Sequence, residues 1–289
     1  YAINKKRLII AGNWKMNPPR LEEAKTLVRQ SSLKVPSNIS VILFPPSLFF
    51  SSLLPLVGKK RNVSLGLQNI SSEEKGAYTG EISTKMALLG GAEFVLVGPS
   101  ERRAVGESNL ETGKKLKSVL ISKMTPIFCF GEKERNEHGG HFIEIRTQIE
   151  EALSEVTTKD ISKIIFAYEP VWAIGKSVKE AMTPHEFHEV SLFLRKVLYE
   201  KWKVSAGNIR ILYGGSVEPA NAPDFLLAGD VDGFLVGHKS LEPKSFQQII
   251  DSASSSAFSS NSSILEKSSD NNNLSTAPYS RARMTSLAP

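Results

Sequence analysis

Short apolar runs rich in β-branched residues recur along the chain: Leu8–Ala11, Val41–Phe44, Val63–Leu67, Phe94–Val97, Pro126–Phe130, Ile164–Tyr168, Ile209–Tyr213 and Gly233–Val236. They lack the in–out alternation of a half-solvated strand, so both faces of each are expected to be covered, as in a parallel sheet. Between them the spacing becomes helical. Residues 21–33 put Leu21, Ala24, Leu27 and Val28 on one face, and residues 144–156 do the same with Ile145, Ile149, Ala152 and Leu153. Thr183-Pro184 predicts a capped helix start leading into Phe187, Val190, Phe193, Leu194 and Val197. Eight strands alternating with helices over about 250 residues predict a (β/α)8 barrel, with a doubly wound sheet as the structural alternative.

The pattern fails after Ile250. Residues 251–289 are serine-rich with almost no apolar clusters, and the acids Asp251, Glu266 and Asp270 balance the bases Lys267, Arg281 and Arg283. Such a segment cannot bury enough surface to offset its ordering entropy. The expected organisation is a barrel domain over 1–250 and a disordered tail over 251–289, for which a docking or regulatory role is the functional alternative.

Composition changes this picture little. A chain of 289 residues with 40% hydrophobic content has ample core for one large domain or two small ones. The net charge of +6 and pI of about 9.2 fit an anionic small substrate or no particular partner. No arginine-rich run or aromatic-interleaved basic stripe points to nucleic acid. The single Cys129 excludes an internal disulfide framework and suits a reducing compartment. No stretch reaches the roughly 18 apolar residues of a membrane span. The start, YAINKKRLII, lacks a signal-peptide layout, so the expected location is cytoplasmic; Tyr1 in place of Met suggests a trimmed or fragmentary N-terminus.

In a barrel the chemistry sits where strands end. Strand one ends in GNWKMN, offering Asn13 and Lys15, the latter either an ion-pair partner or an anion-binding cation. Strand six ends in YEPVWAIG. Glu169 follows an apolar run directly, where desolvation would raise its pKa toward that of a useful general base, a solvated loop acid being the alternative. The following PVWAIG pairs a stiff start with a glycine tip, as in a hinged lid. Strands seven and eight end in YGGSV and VGHKSL, two loops whose backbone N–H groups could cradle a phosphate.

Taken in order, GNWKMN, GAYTGEIS, GPSERRAVGE, FCFGE, AYEPVWAIG, LYGGSV and DGFLVG resemble the triosephosphate isomerase family from about Leu8 to Ile250. The resemblance implies a (β/α)8 TIM barrel, no cofactor, no metal, and a homodimer. It also implies roles. Glu169 is the base that shuttles a proton along an enediolate, Lys15 holds the substrate anion, Asn13 helps position it, and Glu101 is the acid beside Lys15. Phosphate is implied at Gly175, Ser216, Gly214, Gly215, Leu235, Gly237 and His238. Thr79 in the loop Thr79-Gly80-Glu81 reaches the neighbouring subunit, with Arg102 as an ion-pair partner for Glu81.

The sequence departs from the family at Pro99, where the family carries a histidine whose neutral imidazole donates to the substrate oxygens. Proline has no such donor. Its ring suits the first turn of the short helix entered at Ser100–Arg103, so fold and phosphate site are expected to survive. Acid–base assistance is worth about 10²–10⁴ in rate, roughly 3–5 kcal/mol of transition-state stabilisation. Slow turnover is expected. The lid continues Lys176-Ser177-Val178-Lys179-Glu180-Ala181, longer than usual, and His238 stands where glycine is common. His138, His141, His185 and His188 are expected on solvated surface. Two alternatives to an impaired isomerase remain: a lapsed barrel that binds a sugar phosphate as a sensor, and an isomerase for a related short sugar phosphate.

Overall fold

The computed structural model describes residues 7–58, 62–135, 139–177, 180–228 and 230–270. The strands are β1 (Leu8–Asn13), β2 (Ile39–Phe44), β3 (Val63–Leu67), β4 (Phe94–Val97), β5 (Thr125–Phe130), β6 (Ile165–Tyr168), β7 (Arg210–Tyr213) and β8 (Gly233–Val236). They pair in parallel in sequence order, and β8 returns to β1 with Ile10 opposite Phe234. The sheet is closed, which excludes the doubly wound alternative. Around it run α1 (Leu21–Ser31), α2 (Phe50–Val57), α3 (Thr84–Leu89), α4 (Ser100–Ala104), α5 (Asn109–Ile121), α6 (Gly140–Ala152), α7 (Thr158–Ile161), α8 (Pro184–Trp202), α9 (Ala222–Ala228) and α10 (Pro243–Asp270).

Closure explains the unbroken apolar runs. Alternate strand residues, among them Ile9, Ala11, Ile42, Phe44, Leu96, Ile127, Cys129, Ala167 and Leu212, fill the barrel interior as one cluster. The residues between them, such as Ile10, Val41, Val95, Phe128 and Phe166, pack outward against the helices in a second cluster. Each strand is therefore apolar on both faces.

Two expectations shift, and one holds. The helix expected from Glu144 begins at Gly140, after Gly139 turns the chain with φ 72°. Thr183 caps α8 with Pro184 in its first turn, as the sequence predicted, and the structure adds a reciprocal box with Glu186. The second shift concerns the serine-rich segment. Its first residues continue α10 past Ile250; Ala253 is fully buried, and Ser254 exchanges hydrogen bonds with Asn38. The expectation of a disordered tail therefore fails for its opening turn, because Ala253 falls on the inner face of a helix already anchored by Phe246, Ile249 and Ile250. Residues 271–289 of that tail lie outside the described residues. Among those described, no helix is long and apolar enough to cross a membrane.

Candidate active site

Strand ends bring the expected residues together. Asn13 closes β1, and Lys15 follows in a left-handed conformation at φ 53°, rare for a side-chain-bearing residue. Three hydrogen bonds hold it there. The Lys15 amide donates to Asn13 Oδ1 at 3.0 Å, and the Gln68 amide donates to the carbonyls of Lys15 at 2.8 Å and Phe44 at 2.9 Å. Backbone strain persists only where neighbours over-determine it. The result aims the Lys15 side chain at the loop after β8: a Cβ added to Gly237 would lie 3.8 Å from Lys15 Cε.

Glu169 leaves the end of β6 with its amide bonded to Phe130 O at 2.7 Å. Its carboxylate is buried, and Oε2 accepts from the Ser100 amide at 3.0 Å. Burial, then the nearby charge of Glu101, raises its pKa to about 7, against the opposing pull of the Ser100 amide, Lys15 and Arg103. Glu101 Oε1 lies 2.5 Å from Lys15 Nζ. Burial works against ionisation of Glu101 too, but the bond and charge of Lys15 outweigh it and hold that carboxyl below its ordinary value.

One cavity of about 330 Å³, sized for a small molecule, joins these groups. Asn13, Lys15 and Glu169 line it together with Gly175, Gly214, Gly215, Ser216, Leu235, Gly237 and His238. Gly214 lies close against the base, since a Cβ there would sit 3.0 Å from Glu169 Cγ and press on it. Gly175 at the lid tip has φ 73° with nothing within 4 Å of a notional Cβ. Ser216 Oγ donates to Lys176 O at 2.8 Å, tying the loop after β7 to the lid. Within the lid, Val178 and Lys179 lie outside the described residues.

Pro99 is buried and does not line the cavity. It stands one position before the first turn that the sequence suggested: it is the N-cap of α4, at φ −61° and ψ 155°, with its carbonyl accepting from the Arg102 and Arg103 amides. Any residue adopts those angles. His238 is mostly exposed, its Nε2 3.2 Å from Glu242 Oε1.

The remaining expectations divide. Thr79 and Glu81 are exposed, and Arg102 Nε pairs at 3.2 Å with Glu107 Oε2, not with Glu81 of the same chain. His185 is exposed beside Glu189. His141 was expected on solvated surface; instead it is buried, its ring 4.2 Å from that of Phe142, because the earlier start of α6 turns it inward. His188 is half-buried, and His138 lies outside the described residues.

Sequence reasoning missed the support beneath the base. Gly131 follows β5 so closely against Glu169 that a Cβ would fall 1.9 Å from Glu169 O. The fully buried Glu132 accepts from Tyr168 OH at 2.8 Å and from Trp172 Nε1 at 2.8 Å. Arg103 donates from Nε to Gly98 O at 2.9 Å and shares its charge with Glu169. The signal was present: FCFGE ends its strand in an acid just as AYEP does.

Fold and cavity together define a (β/α)8 barrel whose C-terminal strand face holds a buried acid and a lysine around a small, glycine-lined cleft. The triosephosphate isomerase family model matches residues 8–253, and the chain belongs to that family. It is 40% identical over 247 residues to the triosephosphate isomerase of Endomicrobium trichonymphae, covering 84% of this chain and 97% of the relative. The enzyme of Dehalococcoides mccartyi is 43% identical over 251 residues, covering 84% and 96%. That of Caldanaerobacter subterraneus subsp. tengcongensis is 40% identical over 248 residues, covering 85% and 99%.

Proposed function

We propose that the chain interconverts dihydroxyacetone phosphate and D-glyceraldehyde 3-phosphate, slowed by Pro99. The observation that carries this reading is the buried Glu169, poised to gain or lose a proton near neutrality, in one cleft with Lys15. Glu169 removes a proton from the carbon beside the carbonyl and returns it to the neighbouring carbon. Lys15 stabilises the charge that develops on the substrate oxygens, and Asn13 orients them. The amides around Gly214, Gly215, Gly237 and His238, with Gly175 and Ser216, take the phosphate. Pro99 offers no donor to the enediolate.

The same reading assigns a homodimer through Thr79, Glu81 and Arg102. Supporting it is the exposure of Tyr78, Met86 and Leu89 around a groove beside that loop. It assigns the protein to cytoplasmic glycolysis and gluconeogenesis, in keeping with a single buried free thiol.

A coupled assay on purified protein beside Pro99→His tests the chemistry. The φ of −61° admits histidine without strain, so the variant is expected to fold and to gain at least tenfold in kcat. Equal rates would mean that another group already donates. Glu169→Ala with unchanged activity would remove the proton-shuttle assignment. Negligible turnover of the natural sequence with measurable binding of an enediolate mimic would instead favour the sugar-phosphate sensor, for which Pro99 is the supporting observation.

A further inference from the structure

The end of β5 carries a hydrogen-bonding demand that its neighbouring strands do not meet. On one side β5 pairs with β6 up to Phe130 and Tyr168, and the ladder runs on: the Glu169 and Val171 amides donate to Phe130 O at 2.7 Å and Glu132 O at 3.0 Å. On the other side pairing with β4 stops at Val97 and Phe128, before β4 gives way to α4. In a parallel ladder alternate residues turn their peptide groups to opposite neighbours, so Gly131 has both its N–H and its C=O left over. Gln148 from α6 meets both.

Its carboxamide takes the place of a strand. Gln148 Oε1 accepts from the Gly131 amide at 3.0 Å, and Nε2 donates to Gly131 O at 2.9 Å. Glu144 Oε1, one turn earlier on α6, accepts from the same Nε2 at 3.3 Å and so favours the same orientation of the carboxamide. Gln148 is buried, where a polar side chain is costly unless it is bonded. What it holds lies against the base. No side chain separates Gly131 from Glu169: a Cβ on Gly131 would fall 1.9 Å from Glu169 O, 2.5 Å from its carbonyl carbon and 3.3 Å from Cα. On the opposite side Gly214 closes in on the Glu169 side chain, its amide tied to Tyr168 O at 2.8 Å. A backbone packed this closely on both sides passes a shift of Gly131 on to the carboxylate.

We propose that Gln148 is a positioning residue: by holding the Gly131 peptide it sets where the Glu169 carboxylate stands in the cleft. The kinetic consequence rests on the isomerase reading; the geometry does not. Misplacing a reacting group by about 1 Å can cost about 10²-fold in rate. Such an error acts on kcat and leaves the hold of Lys15 and the glycine loops on the substrate anion intact.

The test uses the full chain as wild type, Gln148→Met and Gln148→Glu. Methionine keeps the length and bulk and removes both bonds. With glyceraldehyde 3-phosphate as substrate, kcat should fall at least tenfold while KM stays within twofold. Wild-type kcat in the folded variant, or a loss confined to KM, overturns the proposal. Glutamate separates positioning from packing. Protonated, its carboxyl offers one acceptor and one donor, as the carboxamide does; ionised, it only accepts and repels Gly131 O. Burial and the adjacent Glu144 favour the protonated form, against the pull of Arg103, which lies within range of Glu144. The ratio of its kcat to that of wild type should therefore climb at least threefold from pH 9 to pH 6, and a flat ratio overturns the proposal. A further readout needs no substrate: the carboxyl carbon resonance of Glu169, assigned by its loss in Glu169→Gln and followed by NMR from pH 4 to pH 9. Its midpoint, about 7 in the wild type, should move at least half a pH unit toward the ordinary carboxylate value in Gln148→Met, because a displaced carboxyl is less desolvated. An unmoved midpoint overturns the proposal whatever the substrate is. A wild type without turnover, whose midpoint nonetheless moves in the variant, would sink the isomerase reading and leave the positioning role standing.

Discussion

At the scale of single residues the site depends on where one carboxyl titrates. Glu169 is neutral in the fold up to about pH 7 but ionises in the unfolded chain near 4.5. Its folded pKa is raised, so its contribution to stability is fully present below pH 4.5 and is lost as pH climbs through 7. The loss amounts to roughly 3 kcal/mol at about 1.4 kcal/mol per pKa unit. Glu169→Gln, which cannot ionise, should therefore match the natural protein at pH 4 and exceed it by up to about that amount at pH 8. Urea midpoints at the two pH values check this, and a difference that does not grow with pH would refute it. Activity runs the other way, because only the ionised form accepts a proton. The value of kcat/KM should fall tenfold per unit below pH 7, read from initial rates in buffers of constant ionic strength.

At the scale of elements, strand ends matter more than strands. The sequence announced Glu169 because an acid directly after an apolar run is conspicuous, and it announced Thr183 through its proline neighbour. It did not announce that Gly131 must lack a side chain, since that follows from β5 and β6 lying side by side with Glu169 O pressed on the Gly131 Cα. Nor did it reveal the left-handed turn at Lys15, which depends on Gln68 arriving from the end of β3. Local spacing carries strand identity; contacts between strands distant in sequence are invisible to it. The inward turn of His141 was hidden for the same reason, as it depends on where α6 begins. Gly131→Ala tests the support under the base. The added methyl must part β5 from β6, costing about 1–3 kcal/mol, and should displace Glu169 enough to lower kcat/KM more than tenfold. Wild-type kinetics with wild-type stability would show that the close approach is not required.

At the scale of the molecule, the last helix must cover the outer face of the first two strands. α10 does this: Phe246, Ile249 and Ile250 are fully buried, and Gln247 donates to Lys34 O at 3.0 Å. Composition alone drew the domain boundary after Ile250, because serine dilutes the apolar pattern there and leaves too few residues for a periodicity to register. The cover continues one further turn, with Ala253 buried and Ser254 paired to Asn38 at the entrance to β2. A chain ending at Ile250 gives up one buried methyl and two hydrogen bonds, together about 2 kcal/mol. A chain ending at Ser256 keeps them all. The longer truncation product should therefore unfold near the full-length midpoint, and the shorter one several degrees earlier, with unchanged kinetics at 25 °C in both, since the cleft lies at the opposite ends of the strands from the Asn38 contact. Calorimetric melting of the three proteins side by side decides the matter. Equal midpoints for the 250- and 256-residue chains would return the boundary to Ile250, and a midpoint for the 256-residue chain well below full length would extend the supporting helix beyond it.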